Sequence, residues 1–387
     1  MTTMNPSPAQ SAKIPYTTSD FATSPFVAFY EVTRACDLVC KHCRACAQPV
    51  SHPHELTNSQ SRMLIDQFAS FPKPPTLIFT GGDPMKRPDI FDLIWHATTA
   101  GLTTAMTPSA TPLVTLEAIK RLKDAGISRL AVSLDGADAA THDVFRGVHG
   151  SFDRTMEILS NAASVGLTTQ INTTITRRNF HQINDIADLI ATKKIVLWSV
   201  FFLVPVGRGL AEQRIRPHQY EDVFEMLWNQ GLKQEYAIKT TEAHHYRRYS
   251  LQRLGIEPEN NGFDFASHGA QLANRPIKDR IQRAPLGVND GKGCMFVSHT
   301  GAVYPSGFMP ISAGKFPRQS IVDVYQQSEI FKALRDPNQL QGKCGQCEYR
   351  SICGGSRARA FCVTRNPLAA EPDCVYIPAA LRTESVC

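Results

Sequence analysis

Three cysteines within eight residues form the segment of this chain best suited to chemistry. Cys36, Cys40 and Cys43 follow the spacing C-x3-C-x2-C, which offers three thiolates to a metal centre. A cluster of four irons takes four ligands, so a cluster held by three cysteines keeps one iron open to another molecule. This spacing therefore indicates a reaction centre. A structural zinc site or a fully ligated electron-transfer cluster stays open as an alternative, because His42 and Cys46 lie close in sequence.

A glycine turn lies about 40 residues further along the chain. Residues 76–80 are predicted to form a short buried strand, and Gly81, Gly82, Asp83 and Pro84 follow at its end. Two glycines let a backbone approach a ligand closely and present its peptide groups to that ligand. A Gly-Gly pair alone usually marks a simple turn, so its meaning here depends on the cysteine motif upstream.

The two motifs together resemble the radical S-adenosylmethionine (SAM) superfamily. The resemblance implies a [4Fe-4S] cluster on the three cysteines, with SAM bound at its open iron and the glycine turn at the methionine end of SAM. Asp83 stands where Glu is usual, and His42 stands where an aromatic residue is usual. The implied activity is that of an oxidoreductase. SAM is cleaved reductively to a 5′-deoxyadenosyl radical, which abstracts hydrogen from a substrate carbon, while the fold positions the reactants.

Composition limits the class of protein. The 387 residues allow one large domain and a smaller one, and 42% hydrophobic with 20% charged residues is typical of a globular enzyme. No apolar run is long enough to span a membrane, and a scattered net charge of +6 is too weak to indicate nucleic-acid binding. Eleven cysteines without a signal peptide favour thiolate ligation in a reducing cytoplasm over a disulfide framework.

Strand and helix patterns alternate through the first two thirds of the chain. The predicted strands are 26–32, 76–80, 103–106, 130–134, 168–174 and 195–203, and the predicted helices are 57–71, 88–100, 116–125, 153–165 and 181–191. Repeated βα units predict an α/β fold with a parallel sheet and helices outside it. Six such strands match the partial (β/α)6 barrel that the resemblance implies, which we place at 25–235 after a flexible arm at 1–24.

Ligands in parallel barrels bind at the carboxyl ends of the strands, so residues that follow the predicted strands should share one mouth. Besides the two motifs, these are residues 107–109, 133–135, Asn172 and 204–205. Ser133 and Asp135 suit the ribose or carboxylate of SAM, and Arg146 suits its carboxylate by a bidentate contact. For each residue alone, a turn cap or a surface ion pair is the alternative. The predicted SAM-binding residues are Gly81, Gly82, Asp83, Ser133, Asp135, Arg146 and Asn172.

A second cysteine set lies near the carboxyl terminus. Cys344, Cys347 and Cys353 follow C-x2-C-x5-C, and Cys374 comes 21 residues later. Four thiolates can close a zinc site as well as an iron–sulfur cluster. The pattern resembles the auxiliary-cluster extension called the SPASM domain, which we place at 291–387. That resemblance implies an auxiliary [4Fe-4S] cluster on these four cysteines, one that accepts an electron from the substrate radical.

SPASM domains often carry a further cluster, but the cysteine ligands for it are incomplete in this chain. Cys294 is the candidate for its early ligand, but Ser306 and Arg357 stand where two cysteines are expected. We therefore expect one auxiliary cluster rather than two. Four cysteines are left without an assigned role and are interpreted as small buried residues: Cys46, Cys294, Cys362 and Cys387.

Three segments narrow the resemblance to the haem-biosynthesis-related branch of SPASM enzymes: 31–36, 304–308 and 353–360. This branch implies a tetrapyrrole carboxylate side chain as the substrate and a flavodoxin- or ferredoxin-type protein as the reductant. A ribosomal peptide maturase of the same chemistry is the alternative, although no peptide-binding domain fits into residues 1–24. A non-catalytic zinc-binding interaction protein is the alternative from a different class.

The segment 236–290 is predicted to be a loop-rich connector that folds over the mouth of the barrel as a lid. It contains the densest basic group of the chain, which consists of His244, His245, Arg247 and Arg248. Arginine pairs well with carboxylates. The pattern nevertheless favours a solvated helix face over a substrate site.

Overall fold

The computed structural model describes residues 16–256 and 287–382, with the single positions 258, 281, 284 and 285 between them. The strands are β1 (Val27–Glu31), β2 (Thr76–Thr80), β3 (Thr104–Met106), β4 (Arg129–Ser133), β5 (Thr169–Ile175), β6 (Leu197–Phe202), β7 (Ala237–Thr241), β8 (Cys294–Val297), β9 (Ala302–Tyr304) and β10 (Gly314–Lys315). In the described residues they form one sheet in the order β10-β9-β8-β1-β2-β3-β4-β5-β6-β7.

The helices connect these strands or pack at the carboxyl-terminal end of the chain. They are α1 (Asn58–Ala69), α2 (Ile90–Thr99), α3 (Leu116–Asp124), α4 (Ala139–Arg146), α5 (Ser151–Ser164), α6 (Ile183–Ala191), α7 (Pro217–Lys233), α8 (His245–Arg253), α9 (Ile321–Gln327), α10 (Glu329–Arg335), α11 (Gly342–Gly345) and α12 (Arg357–Thr364). Short 3-10 helices span Thr18–Ala22, Pro84–Lys86, Phe180–Gln182, Ala211–Gln213, Pro337–Gln339 and Ala379–Leu381. None of the helices in the described part is long and apolar enough to cross a membrane.

Local sequence explains where these helices begin and end. The Thr57 side chain accepts a hydrogen bond from the Gln60 backbone nitrogen, and the Gln60 side chain accepts one from the Thr57 backbone nitrogen, which makes a capping box at the start of α1. Asp138 caps α4 by accepting from the Thr141 backbone nitrogen. Gly147, with a φ of 72°, ends α4 in the left-handed conformation that favours glycine.

The sheet is an open barrel with a helix-covered outer face and a lumen inside. Strands β1 to β6 lie beside one another in sequence order and are all parallel. In β2, Leu77 and Phe79 are fully buried and belong to one core cluster with helix residues such as Leu64 and Leu93. The alternate residue Ile78 is only half-buried and points to the other face. The predicted α/β fold with a partial barrel is confirmed.

The same sheet continues beyond the six predicted strands. β7 pairs in parallel with β6, and β8 pairs in parallel with β1. The predicted domain boundaries at 236 and 291 therefore separate strands that belong to one sheet. The predicted connector includes β7 and helix α8. Residues 1–15 of the predicted arm lie outside the described residues. So do Cys387 and the lid positions 257, 259–280, 282, 283 and 286.

Candidate functional site

The three amino-terminal cysteines line one cavity of about 190 Å³ at the carboxyl ends of the barrel strands. Thr80 and Gly81 from the end of β2, Ser133 from β4, Asn172 and Thr174 from β5, and Phe202 from β6 line it too. Thr107, Pro108, Ser109 and Val204, which were also predicted to follow strands, lie on the cavity wall, whereas Leu134, Asp135 and Pro205 of the predicted group do not line it. The cysteines and the strand ends thus share one mouth.

Two of the three thiols have neighbours that stabilise a thiolate. Cys36 Sγ lies 3.4 Å from Ser109 Oγ and accepts a hydrogen bond from the Leu38 backbone nitrogen at 3.4 Å. Arg146 Nη1 lies 3.7 Å from Cys40 Sγ. Burial outweighs these contacts and raises the pKa of Cys36 and Cys40. Cys36 and Cys40 therefore hold their protons until a metal displaces them.

Among the residues that the structure describes, no fourth thiol joins the three on this wall. Cys46 is absent from the residues that line the cavity, whereas His42 lines it with its imidazole packed against Phe145 at a ring-centroid distance of 4.4 Å. Across the described part of the chain, no three His, Cys, Asp or Glu side chains converge to hold a single metal ion. A four-iron cluster spaces its ligands by its own width, so three thiols on an open cavity suit a cluster better than a zinc ion.

The glycine turn is built to pack against the backbone that leads into the cysteine loop. A Cβ atom at Gly81 would lie 2.5 Å from the Thr33 carbonyl oxygen, and one at Gly82 would lie 2.5 Å from that of Ala35. The backbone nitrogens of Gly82 and Asp83 donate to these same two oxygens at 2.8 and 2.7 Å. The glycines are therefore needed to hold the cysteine loop in place, in addition to the predicted contact with a ligand.

The predicted SAM-binding residues divide into two groups. Those on the cavity wall are Gly81, Gly82, Ser133, Arg146 and Asn172. Asp83 is fully buried and accepts from Thr111 Oγ1 at 2.8 Å and from the Met85 backbone nitrogen at 3.1 Å. The Asp83 carboxylate thus stabilises the glycine turn from behind the cavity wall, a role that the sequence alone did not indicate.

Asp135 also lies behind the wall. It is fully buried, and its carboxylate lies 2.6 Å from Arg146 Nη2 and accepts from the Thr174 backbone nitrogen at 2.7 Å. Burial raises the pKa of Asp135, although the Arg146 charge opposes the rise. Arg146 lies between this carboxylate and Cys40, so it reaches the cavity with part of its charge already paired. Its Nε has no hydrogen-bond partner among the described residues.

The carboxyl-terminal cysteines line a second, smaller cavity of about 30 Å³. Its wall includes Cys344, Cys347, Cys353 and Cys374 together with His245, Arg248 and Lys343. Backbone nitrogens of Glu371 and Gly355 donate to Cys344 Sγ at 3.2 Å and to Cys353 Sγ at 3.3 Å. Burial raises the pKa of Cys374 to about 11 and that of Cys347 to about 12, and it raises the pKa of Cys353 as well. Outside the cavity, burial raises the pKa of Cys362 to about 11.

The basic group at 244–248 is buried, so its interpretation as a solvated helix face is wrong. His245 is 1% and Arg248 5% exposed. Arg248 forms an ion pair with Glu221, and Arg247 donates to the carbonyl oxygens of Ile352 and Val288 at 2.9 and 2.7 Å. Burial, followed by nearby arginine charges, holds the pKa of His244 and His245 well below the usual range.

Protein groups already occupy the positions of the two missing cluster ligands. Ser306 hydrogen-bonds to the buried carboxyl group of Asp290, which also shares a hydrogen bond with Glu242. Burial raises the pKa of both carboxyl groups, and the Asp290 charge raises the pKa of Glu242 further, whereas the hydrogen bond with Glu242 opposes the rise at Asp290. Arg357 is 1% exposed and donates to the Ala369 carbonyl oxygen at 2.7 Å.

Comparison with known proteins gives the family. The model of the radical SAM superfamily matches residues 30–190. The chain is 38% identical over 371 residues to the AdoMet-dependent heme synthase of Nitratidesulfovibrio vulgaris, covering 94% of this chain and 96% of that one. It is 36% identical over 355 residues to the enzyme of the same name from Methanosarcina barkeri (92% and 97% covered), and 29% identical over 367 residues to the Fe-coproporphyrin III synthase of that organism (90% and 87%).

A solved structure gives the same fold. Streptococcus suis SuiB bound to S-adenosylmethionine superposes with a TM-score of 0.70 at 16% identity, covering 92% of this chain and 78% of that one. The chain belongs to the radical SAM superfamily and is a radical SAM enzyme, which implies a four-iron cluster and SAM. The residues present fit both groups. Three thiols open on one cavity, and two of its wall residues, His42 and Arg146, each keep a buried nitrogen without a partner among the described residues.

Proposed function

We propose that this enzyme converts carboxylate side chains of an iron tetrapyrrole into vinyl groups, as the last step of making haem. The relatives that match nearly the whole chain are named for haem and for Fe-coproporphyrin III, which supports a tetrapyrrole as the substrate class. One observation carries the radical chemistry: Cys36, Cys40 and Cys43 face one cavity that no fourth cysteine of the described ranges lines. The bound cluster supplies the electron that cleaves SAM.

The reaction balances for each side chain. A 5′-deoxyadenosyl radical takes one hydrogen atom from the propionate carbon next to the ring. The resulting substrate radical loses CO2 and one electron and becomes a vinyl group. Each turnover therefore consumes one SAM, releases one 5′-deoxyadenosine, and needs an electron acceptor in addition to the reductant that starts it.

The chain's own residues have distinct parts in this proposal. Cys36, Cys40 and Cys43 hold the cluster, and five cavity residues contact SAM: Gly81, Gly82, Ser133, Arg146 and Asn172. Asp83 and Asp135 act through the turn and the arginine that they hold. Cys344, Cys347, Cys353 and Cys374 hold one auxiliary cluster, because they share a second cavity with backbone donors to two of the thiols.

The test is an anoxic assay of the reconstituted enzyme with SAM, a strong reductant and iron-coproporphyrin III. We expect 5′-deoxyadenosine and haem to form together, with a singly decarboxylated intermediate visible by mass spectrometry. Haem with its two propionates already converted is the matched control and should not stimulate SAM cleavage. Unchanged tetrapyrrole alongside steady SAM cleavage would reject the substrate class and leave the radical chemistry intact.

A further inference from the structure

A row of polar side chains crosses the inner face of the sheet from the SAM cavity to the edge strand. The register pairs Ser133 with Asn172, Asn172 with Ser199, and Ser199 with Lys239. Ser133 and Asn172 line the cavity. Strands lie about 4.8 Å apart, so the Lys239 backbone stands about 10 Å from that of Asn172. Lys239 is thus the cationic end of a row that begins at the SAM site.

The Lys239 side chain faces the lumen. Its neighbour Ile238 packs against the core cluster under the helices, and side chains alternate along a strand. Within the described part of the chain, Lys239 is exposed and takes part in no hydrogen bond or ion pair with an acid. Desolvation by the surrounding protein, followed by the charges of Arg129 and Arg247, lowers the pKa of Lys239 to about 8, which leaves it mostly protonated at neutral pH.

Among the described residues, the ionisable groups that act on the Lys239 ammonium are Arg129, Arg247 and the Cys294 thiol, and none of them is a carboxylate. Arg129, at the start of β4, donates to Gln170 Oε1 at 3.0 Å, and Gln170 Nε2 donates to Asn172 Oδ1 at 2.7 Å. Because this series of hydrogen bonds uses the Asn172 side-chain oxygen, the Asn172 amide nitrogen is directed away from Gln170 and can donate to another group. The group nearest Lys239 on β8 is the Cys294 thiol, whose pKa burial raises well above its usual value, so it stays neutral.

We propose that Lys239 binds a side-chain carboxylate of the tetrapyrrole substrate in the lumen beside SAM. The assignment rests on the proposed function and names the group that would hold the substrate there. An ammonium group that faces the lumen without an acidic partner among the described residues is complementary to an anion, and it lies within one substrate side chain of the cavity where hydrogen is removed.

The experiment titrates iron-coproporphyrin III, and separately its tetramethyl ester, into the anoxic enzyme while the absorbance of the tetrapyrrole is followed. Lys239→Met should weaken binding of the free acid by about 10- to 100-fold, because an ion-paired hydrogen bond is lost, and should leave ester binding unchanged. Lys239→Arg should restore most of the preference for the acid. Lys233→Met is the matched control, since Lys233 is exposed on α7 and paired with Asp188.

The outcomes separate the two proposals. Equal acid affinity in the wild type and in Lys239→Met would overturn the carboxylate site alone. A wild type that binds neither tetrapyrrole would overturn the proposed function and the site with it. Because ester binding reports whether each variant keeps its lumen intact, a general loss of folding would show as weaker binding of both ligands.

A separate observation concerns the second cavity. His245 lines it together with the four cysteines, is 1% exposed, and has no hydrogen-bond partner at either ring nitrogen among the described residues. The rings of Tyr220 and Phe224 pack against the imidazole at centroid distances of 5.1 and 4.9 Å. A buried imidazole without a partner is costly, which indicates that a ligand of this cavity completes it.

The geometry assigns His245 as a hydrogen-bond donor to the auxiliary cluster. Hydrogen bonds to cluster sulfurs are among the factors that set reduction potentials, so His245 is a positioning residue that makes this cluster easier to reduce. His245→Phe should lower the midpoint potential of the auxiliary cluster. The potential is measured by electron paramagnetic resonance in the Cys40→Ala background, in which the SAM-binding cluster is lost. His245→Gln, which keeps a side-chain N–H, should return the potential towards that of the parent.

Iron content decides between this role and others. Both His245 variants should keep the auxiliary iron. An unchanged midpoint potential in His245→Phe would overturn the hydrogen bond. Loss of the auxiliary iron in both variants would also overturn it, because His245 would then be a ligand or a structural support rather than a donor.

Discussion

Arg359 and Glu371 form an ion pair in which neither side chain has any exposed surface, with an N–O distance of 3.2 Å. The pair joins the two cysteine cavities. Arg359 also donates to the carbonyl oxygen of Phe202, a residue on the wall of the SAM cavity, at 3.2 Å. Glu371 lines the second cavity, and its backbone nitrogen donates to Cys344 Sγ. The carboxyl-terminal cysteines are therefore anchored to the barrel through one buried arginine.

Removing this arginine should cost much of the stability of the protein. Arg359→Met leaves the Glu371 carboxylate buried and unpaired, which costs about 3–5 kcal/mol of unfolding free energy. Urea unfolding of the anoxic, reconstituted enzyme measures the loss. Arg154→Met is the matched control, because Arg154 and Glu157 form a solvent-exposed pair worth about 1 kcal/mol or less. Equal losses in the two variants would contradict the anchoring role of Arg359.

The second prediction concerns the glycine turn. In Gly82→Ala, the new Cβ would lie 2.5 and 2.6 Å from the carbonyl oxygens of Ala35 and Arg34, so the backbone next to Cys36 must move. We expect loss of the SAM-binding cluster, which is about four irons, and loss of 5′-deoxyadenosine formation. Gly231→Ala on α7 meets no atom within 4 Å and should keep both. Full iron content in Gly82→Ala would show that the turn does not position the cysteine loop.

The third prediction counts iron. The wild type, reconstituted without oxygen, should hold about eight irons in two four-iron clusters, and replacing Cys36, Cys40 and Cys43 together should leave about half. Cys40→Ala alone should abolish SAM cleavage, whereas Cys46→Ala should keep it, because Cys46 does not line the cavity. Twelve irons in the wild type would mean that a second auxiliary cluster forms without cysteines at Ser306 and Arg357.

The six barrel strands were predictable because periodicity and turn residues are local signals. The predicted helix 57–71, for example, is observed as Asn58–Ala69, capped by Thr57. The pairing of β8 with β1 was not predictable, since it joins segments more than 260 residues apart and leaves no local pattern. Helices α4 and α7, and the carboxyl-terminal helices α9 to α12, were also missed.

The site shows the same division. Motif spacing predicted which cysteines share a cavity, yet it gave no indication that Asp83 and Asp135 lie behind the wall. Helix α8 carries few apolar residues, so its sequence favours solvent. Its burial depends on distant partners, the Glu221 carboxylate and the carbonyl oxygens of Ile352 and Val288, which only the fold brings together. Lys239 stood out only once the register placed it in the row with Asn172.

The fourth prediction separates the two cysteine sites. Cys347→Ala should leave substrate-free SAM cleavage intact, because Cys347 lines only the second cavity, and should stop product formation. The physical reason is that the substrate radical must give up an electron to complete the double bond. Cys362→Ala, a cysteine outside that cavity, is the control and should keep full product yield. Full product yield in Cys347→Ala, or zinc at this site after anoxic expression with ample iron, would remove the redox role.

The fifth prediction is a pH dependence of substrate binding. Lys239 has a pKa of about 8, so its positive charge is nearly complete at pH 7 and mostly lost at pH 9. The protonated fraction of Lys239 falls from about nine tenths at pH 7 to about one tenth at pH 9. Affinity for iron-coproporphyrin III should therefore fall by about tenfold over this range.

Of the residues that the structure describes, the other groups that act on the pKa of Lys239 do not titrate in this window. The pKa of Arg247 is lowered only to about 10, Arg129 stays charged, and the raised pKa of Cys294 keeps its thiol neutral. Lys239→Arg should bind the substrate with a flat profile over the same range, and the tetramethyl ester should give a flat profile with the wild type. A fall of the same size in Lys239→Arg would assign the titration to another group and remove Lys239 from the carboxylate site.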